Sequence, residues 1–333
     1  MAGRGARNLI TDVPGLMVGQ AHDGDVCTGC TVVLAERPAV AGVSVAGGGP
    51  GTRETDLLQA GRLVQAVDAV VLSGGSAYGL AAADGVAAEL GARGRGFGLM
   101  EMAGVPKTPI VPAAILYDLA NGGDKAWGAQ PPYQDLGRRA LAGASDRFDL
   151  GRAGAGFGAR AGAHPGGLGS ASWVSDDGHT VGAVVAVNCF GSVYMPGTQC
   201  FWAWPFEIDG EFGGRAPPAG AHAAPENWGD AKLNPQPGEN TTIACVATDA
   251  PLSASSAQRL AEMALAGLAR AIRPVFAPVD GDTVFALSTG SSEPAGDVDA
   301  LTLSRLGEIA AGCVARSIAR GVWAAGPGAE KAV

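Results

Sequence analysis

The chain has 333 residues, 47% of them hydrophobic, with 53 glycines and a formal charge of -9. That length and apolar content build one large domain or two ordinary ones and exclude a disordered chain. The negative charge argues against nucleic-acid and anionic-membrane partners, both of which it would repel, so a soluble, small-molecule-directed protein is expected.

Residues 1–9 hold Arg4 and Arg7 but no apolar run behind them, so no secretory leader is expected. Six cysteines at scattered positions do not form a disulfide framework, and the cytoplasm is the expected compartment. Residues 8–19 alternate polar and apolar positions around Pro14-Gly15, the pattern of a strand, a turn and a strand. Cys27 and Cys30 follow; a zinc site would need a second pair at ligand spacing, so the two are read as small residues at a turn into a strand over 31–35. No metal and no other cofactor is expected.

A strand over 40–46 ends in Gly47-Gly48-Gly49-Pro50-Gly51-Thr52-Arg53-Glu54. The turn lacks the Lys-Ser/Thr of a phosphate loop, and its glycines are read as structural. An apolar strand over 66–72 turns through Ser73-Gly74-Gly75-Ser76 into a helix on which Leu80, Ala83, Ala87 and Leu90 share one face. Ser76 does not complete a Gly-x-Ser-x-Gly elbow, because Tyr78 stands in its last position, and it is assigned to helix capping. Residues 111–119 are apolar with a polar end, and 121–135 read as loop.

Three of these segments, residues 47–58, 71–86 and 109–118, resemble the DmpA-type aminopeptidase/amidase family. That family includes D-esterase/L-aminopeptidases, β-peptidyl aminopeptidases and nylon-oligomer (6-aminohexanoate-oligomer) endohydrolases. The resemblance runs from about Leu9 to Val322 and takes in residues 151–156 and 166–172. It implies a four-layer α/β/β/α sandwich of the N-terminal-nucleophile-hydrolase type. In members resembling the nylon hydrolases a lysine stands by the active site between the last two segments. Here the aligned residue is Ala163, followed by His164-Pro165, with Arg160 three residues before it.

In the second half, residues 181–187 form a buried strand, and the apolar run is far too short to span a bilayer. The strand ends at Asn188, which the resemblance makes the side-chain donor to a developing oxyanion. Residues 195–240 are irregular, and a loop this long is usually functional. Its Phe201, Trp202 and Trp204 are candidates for lining a substrate cleft or a subunit contact, with a local hydrophobic anchor as the equal alternative.

The loop ends at Glu239-Asn240, and Thr241 opens the strand 242–247. An exposed but rigidly held hydroxyl suits such a junction, yet a threonine needs a base. Cutting the chain at Asn240–Thr241 supplies one, an α-amine with a pKa of about 7.7–8.0. A helix starts near residue 253 or 255 and stops before Pro274. Asp280 and Asp282, two apart in an extended segment, place both carboxylates on one side, where a like-charged pair raises the proton affinity of one of them. A strand over 284–287, a loop over 291–299 and a helix from 301 to about 324 complete the chain.

The resemblance assigns Thr241 as nucleophile, Asp280 and Asp282 as holders of its amine, and Tyr117 as a further hydrogen-bonding group. It implies one domain over 1–333 cut into 1–240 and 241–333, assembled as a homo-oligomer, commonly a tetramer of cleaved units. The activity implied is hydrolysis of small peptides or oligoamides through an acyl ester on the threonine. The alternatives are acyl transfer to an amine, as in ornithine acetyltransferases, and a non-catalytic binding module using residues 47–51 with Cys27 and Cys30 as a switch.

Overall fold

The structure is a computed structural model and describes residues 2–100, 102–222, 224–232, 240–290 and 297–326. Glu239 and most of the loop expected over 291–299 lie outside the described residues.

The strands are Leu16–Asp23 (β1), Thr28–Val45 (β2), Thr52–Arg53 (β3), Ala66–Ser73 (β4), Ala113–Ile115 (β5), Arg160–Ala161 (β6), His164–Pro165 (β7), Gly167–Val174 (β8), Thr180–Asn188 (β9), Thr241–Thr248 (β10) and Thr283–Ser288 (β11). The helices are Ala81–Ala92 (α1), Tyr133–Ala142 (α2), Ala254–Ala271 (α3) and Ala300–Ala325 (α4). Hydrogen bonding runs β3-β5-β4-β2-β11-β10-β9-β8, with β1 also on β2 and a separate β6–β7 hairpin.

The strands expected over 31–35 and 40–46 are one 18-residue strand, β2. It bends at Glu36, Arg37 and Pro38, all exposed, where its register against β4 slips between Leu34 and Ala39. Proline has no N–H for the ladder, so the bend falls there. The first half of β2 pairs with β1 and β4, the second with β11, so the strand passes from one sheet into another.

Alternation along each strand then makes four layers. Val32, Leu34, Ala69 and Val71 face α1 and α2, while Val33, Ala35, Val70 and Leu72 face the second sheet. From the other side Val184, Ala186, Ile243, Cys245, Phe285 and Leu287 meet them, and Val185, Val187, Ala244, Val246, Val284 and Ala286 pack under α3 and α4. Both faces of these strands are buried, which is why they read as continuous small apolar runs without period-two polarity. Small residues also let the helices lie close: a Cβ on Gly169 of β8 would overlap the Ser317 carbonyl oxygen of α4.

Three local expectations fail for tertiary reasons. Ile10–Asp12 is a 3-10 turn rather than a strand, fixed by the bond from Ile10 N–H to the buried Ser170 Oγ at 2.8 Å. Ser76 makes no capping bond; Gly75 takes the left-handed cap conformation, and a 3-10 turn Ser76–Leu80 precedes α1. α2 begins inside the segment read as loop, and buries Tyr133, Leu136, Ala140 and Leu141.

Around the end of β8, Arg316 of α4 forms a buried bidentate pair with Glu211, Nε–Oε1 2.6 Å and Nη2–Oε2 3.0 Å. Asn8 Nδ2 donates to the same carboxylate at 2.7 Å, and Arg320 Nε lies 3.3 Å from it. A buried ion pair that loses one member leaves the other uncompensated. Glu211→Ala is therefore expected to destabilise the protein by about 3–5 kcal/mol, read as a lower urea midpoint.

Candidate active site

The strand ends bring the predicted residues together. Thr241 is the register partner of Asn188 across β10 and β9, and Asn240 bridges in parallel to Asp280 just before β11. Thr241 shares strand parity with Ile243, and Asn188 with Ala186, so both side chains project toward the layer between the sheets. Asn188, Asn240, Thr241, Asp280 and Asp282 are all buried.

Thr241 Oγ1 hydrogen-bonds to the carbonyl oxygen of Asn240, the residue on the other side of the expected cut. The same oxygen accepts Gly281 N–H at 3.1 Å. The hydroxyl and a main-chain donor thus converge on one carbonyl. Sequence reading missed Gly281, whose role lies in its backbone and its lack of a side chain. A Cβ there would stand 2.8 Å from Thr241 Oγ1 and 2.7 Å from Gly49 O. Gly281→Ala must push the Gly49 carbonyl or the Thr241 hydroxyl aside and is expected to accumulate as uncut chain, seen as a persistent full-length band in a gel time course, with thermal unfolding as the control for folding.

The acidic pair is fixed by main-chain donors. Asp280 Oδ1 accepts Phe190 N–H at 3.1 Å, and Asp282 accepts Thr242 N–H on Oδ1 at 2.7 Å and Phe276 N–H on Oδ2 at 3.2 Å. Asp280 Oδ2 is buried with no hydrogen-bond partner among the described residues. Burial raises the proton affinity of both carboxyls; Asp282, further raised by the neighbouring charge of Asp280, is pushed up to about 7. The site therefore holds its pair with a proton to exchange near neutrality.

Asn188 is oriented by its neighbours. Its Oδ1 accepts Arg160 N–H at 2.9 Å and Asn121 Nδ2 at 3.1 Å, and its Nδ2 donates to the Tyr117 carbonyl at 2.9 Å. The Arg160 amide can only donate, which fixes which end of the Asn188 amide is oxygen. Tyr117 is tied to the site through this main-chain carbonyl, whereas its side chain was the part expected to act. Asn121 was also missed, because it falls in a segment read as loop.

The Gly47–Gly51 turn is zipped to the acidic segment: Gly47 N–H reaches Asp282 O at 3.3 Å, Gly48 N–H Ala277 O at 3.3 Å and Gly49 N–H Asp280 O at 2.7 Å. These donors, which a binding-module reading needs for its ligand, are used on the acidic segment, two of them on the main-chain carbonyls of the aspartates and one on that of Ala277.

The aromatic cluster lies elsewhere. Phe201 is buried against Tyr194 and Phe212 in the core under α3 and α4, across the sheet from Thr241. Trp202 carries the Arg273 guanidinium over its ring at 4.5 Å, and Trp204 opens the 3-10 turn Trp204–Phe206 and is partly exposed. Phe201 anchors the long loop and does not line a cleft at the threonine, because it and its ring partners Tyr194 and Phe212 belong to the core under α3 and α4. Ala163 is exposed in the β6–β7 turn, its N–H donating to Asp230 O at 2.8 Å.

Comparison with known proteins bears on the family and the fold. The model of Peptidase family S58 matches residues 8–331. An uncharacterized aminopeptidase of Mycobacterium bovis is 44% identical, over 96% of this chain and 95% of its own. A 6-aminohexanoate-oligomer endohydrolase of a Kocuria species is 30% identical, over 86% of this chain and 76% of its own. Among solved structures, a Burkholderia beta-aminopeptidase superposes with a TM-score of 0.71 at 25% identity, covering 96% of this chain and 88% of that one. An L-aminopeptidase D-Ala-esterase/amidase from Ochrobactrum anthropi, whose fold is a variant of the Ntn-hydrolase fold, gives 0.69 at 21% identity, covering 96% and 87%. With the four layers and the convergent strand ends, these matches make the chain a member of peptidase family S58, a hydrolase of peptide or amide bonds.

Proposed function

We propose that the protein cuts its own chain between Asn240 and Thr241 and then hydrolyses small peptides or oligoamides through an ester on Thr241. The observation that carries this reading is the convergence of Thr241 Oγ1 and Gly281 N–H on the Asn240 carbonyl oxygen.

In self-cleavage the Thr241 hydroxyl attacks the Asn240 carbonyl carbon, and Gly281 N–H supports the negative oxygen. Asp280, through its Oδ2, which has no partner among the described residues, takes the hydroxyl proton. The C–N bond breaks as the proton passes to the leaving nitrogen, giving an ester on Oγ1 and an amine on Thr241. Water then hydrolyses the ester and frees the Asn240 carboxylate. In turnover the hydroxyl attacks a substrate amide and the new amine takes its proton. Asp280 and Asp282 hold the resulting ammonium, and Asn188 steadies the oxyanion. The proton goes to the departing amine, and water releases the acyl group.

The activities for which relatives are named, aminopeptidase and 6-aminohexanoate-oligomer endohydrolase, support short amides as the substrate, α-peptide or nylon-like. Assembly of the cut units into a homo-oligomer belongs to the same reading. Exposed Leu99, Met100, Met102 and Val105 offer an apolar surface of the kind subunits cover. The test is intact mass spectrometry of the active protein. Two fragments are expected, the smaller beginning Thr-Thr-Ile, and an active sample consisting of one unbroken chain would overturn the proposal.

A further inference from the structure

Two carboxyls buried side by side call for a nearby positive charge if either is to ionise. Before the cut, no amine exists at Thr241 to supply it. Among the described residues the groups facing Asp280 are Asp282 on its own segment, the Phe190 and Ala277 main chain, Cys189 beyond the end of β9, the Asn240 amide, and Lys232. Lys232 is the cation among them. Its Nζ lies 3.3 Å from the Asn188 carbonyl oxygen, and Asn188 is the strand partner of Thr241. Its positive charge acts on Asp280 and counters the effect of burial there.

The lysine is held in this place by bonds independent of the scissile linkage. Lys232 N–H donates to Phe190 O at 2.9 Å, and Phe190 N–H in turn donates to Asp280 Oδ1. Two residues upstream, Asp230 O accepts Ala163 N–H at 2.8 Å, and the Asp230 carboxylate lies 2.9 Å from His164 Nε2. The segment is thus pinned to the β6–β7 hairpin and to the end of β9. Breaking the chain eight residues later, at Asn240–Thr241, leaves all of these bonds in place.

We propose that Lys232 is the fixed counter-cation of the Asp280–Asp282 pair, a positioning residue that keeps one of the two carboxylates charged for the proton transfers at Thr241. The assignment rests on the self-cleavage reading above and adds to it the source of positive charge before any amine is made. The sign follows directly. Removing the cation raises the proton affinity of Asp280, so a larger share is protonated at acid pH and cannot accept the hydroxyl proton. The acid limb of the rate therefore moves to higher pH. The same cation also disfavours the ammonium form of the new amine, so turnover shifts in the same direction.

Self-cleavage provides an assay that needs no known substrate. Full-length chain made by cell-free synthesis is sampled by intact mass spectrometry across pH for the wild type, Lys232→Met, Lys232→Gln and Lys232→Arg. The Met and Gln variants are expected to shift the acid limb upward by about one pH unit, about tenfold in rate along the limb. The Arg variant, which keeps the charge, is expected to follow the wild type. Gln keeps a donor for the Asn188 carbonyl, so it carries the test if Met does not fold. A merely structural lysine would lower the rate at every pH without moving the limb. Limbs unmoved in Met and Gln, or moved equally in Arg, overturn the proposal while self-cleavage stands. A wild type that is never cut overturns the self-cleavage reading instead.

Discussion

Thr241→Ala is expected to give a folded, uncut chain with no measurable amidase activity, and Thr241→Ser to restore cutting in part. Alanine keeps the Cβ and the main-chain ladder of β10 between β9 and β11, so the sheet has no reason to change. What disappears is the oxygen that touches the Asn240 carbonyl. Loss of a nucleophile from a site whose groups act as a unit costs on the order of ten-thousand-fold or more in rate. Here the loss strikes twice, because the amine proposed as base in turnover never forms. Serine returns the hydroxyl without the β-branch that limits its rotamers, so cutting is expected to be slower than in the wild type. Intact mass and amide hydrolysis, with thermal unfolding as the control for folding, check all three. An alanine variant that is cut at the same bond would remove the threonine from the chemistry.

Asp282→Asn is expected to have the next largest effect, on cleavage and on the pH dependence of stability. Each Asp282 oxygen receives a main-chain N–H, from Thr242 and from Phe276. An amide offers one oxygen and one NH2, so one of those donors meets another donor, at a cost of about 1–3 kcal/mol. Thr242 adjoins the nucleophile, and a small displacement of the attacking group lowers the rate by about 100-fold. The pH effect is best read in the uncut Thr241→Ala chain, where no new amine competes. Asp282 holds its proton up to about 7 in the folded protein, against about 3.9 when unfolded. Between those values the folded state binds the extra proton, so its stability is greatest below the lower one and declines as pH rises to the upper. Asp282→Asn removes the group and should flatten that decline. Urea unfolding of both chains at about pH 5 and about pH 8 measures the difference; parallel pH trends would show that the carboxyl does not titrate as described.

Much of the fold was legible because strands such as 181–187 and 242–247 are unbroken apolar runs and α3 has a regular buried stripe beginning at the Ser253 cap. The join in β2 was not, because Glu36-Arg37-Pro38 has the composition of a loop while the backbone on either side continues as one strand. Nor was α2, which follows two prolines within a polar stretch and is held by Tyr133 and Leu136 packing on α1 and the first sheet. At the site, side chains with recognisable chemistry were found: Thr241, Asn188, Asp280 and Asp282. The residues that reach these groups through the backbone, Gly281, Phe190, Phe276 and Arg160, leave no mark in residue type. Lys232 and Asn121 were hidden for a different reason, since each reaches the strand ends from a distant irregular segment and only the folded chain reveals the meeting.

The place of β10 has a consequence for the history of the molecule. The strand lies inside the sheet, paired with β9 on one side and β11 on the other, while Arg316 and Arg320 grip Glu211 and Asn8 across the proposed break. Once 240 and 241 part, no covalent thread tells the short piece which gap to enter, yet nothing compels it to leave. Cut as proposed, the protein would assemble once as a single thread and thereafter persist as two interlocked pieces, durable while folded and without a route back after being pulled apart.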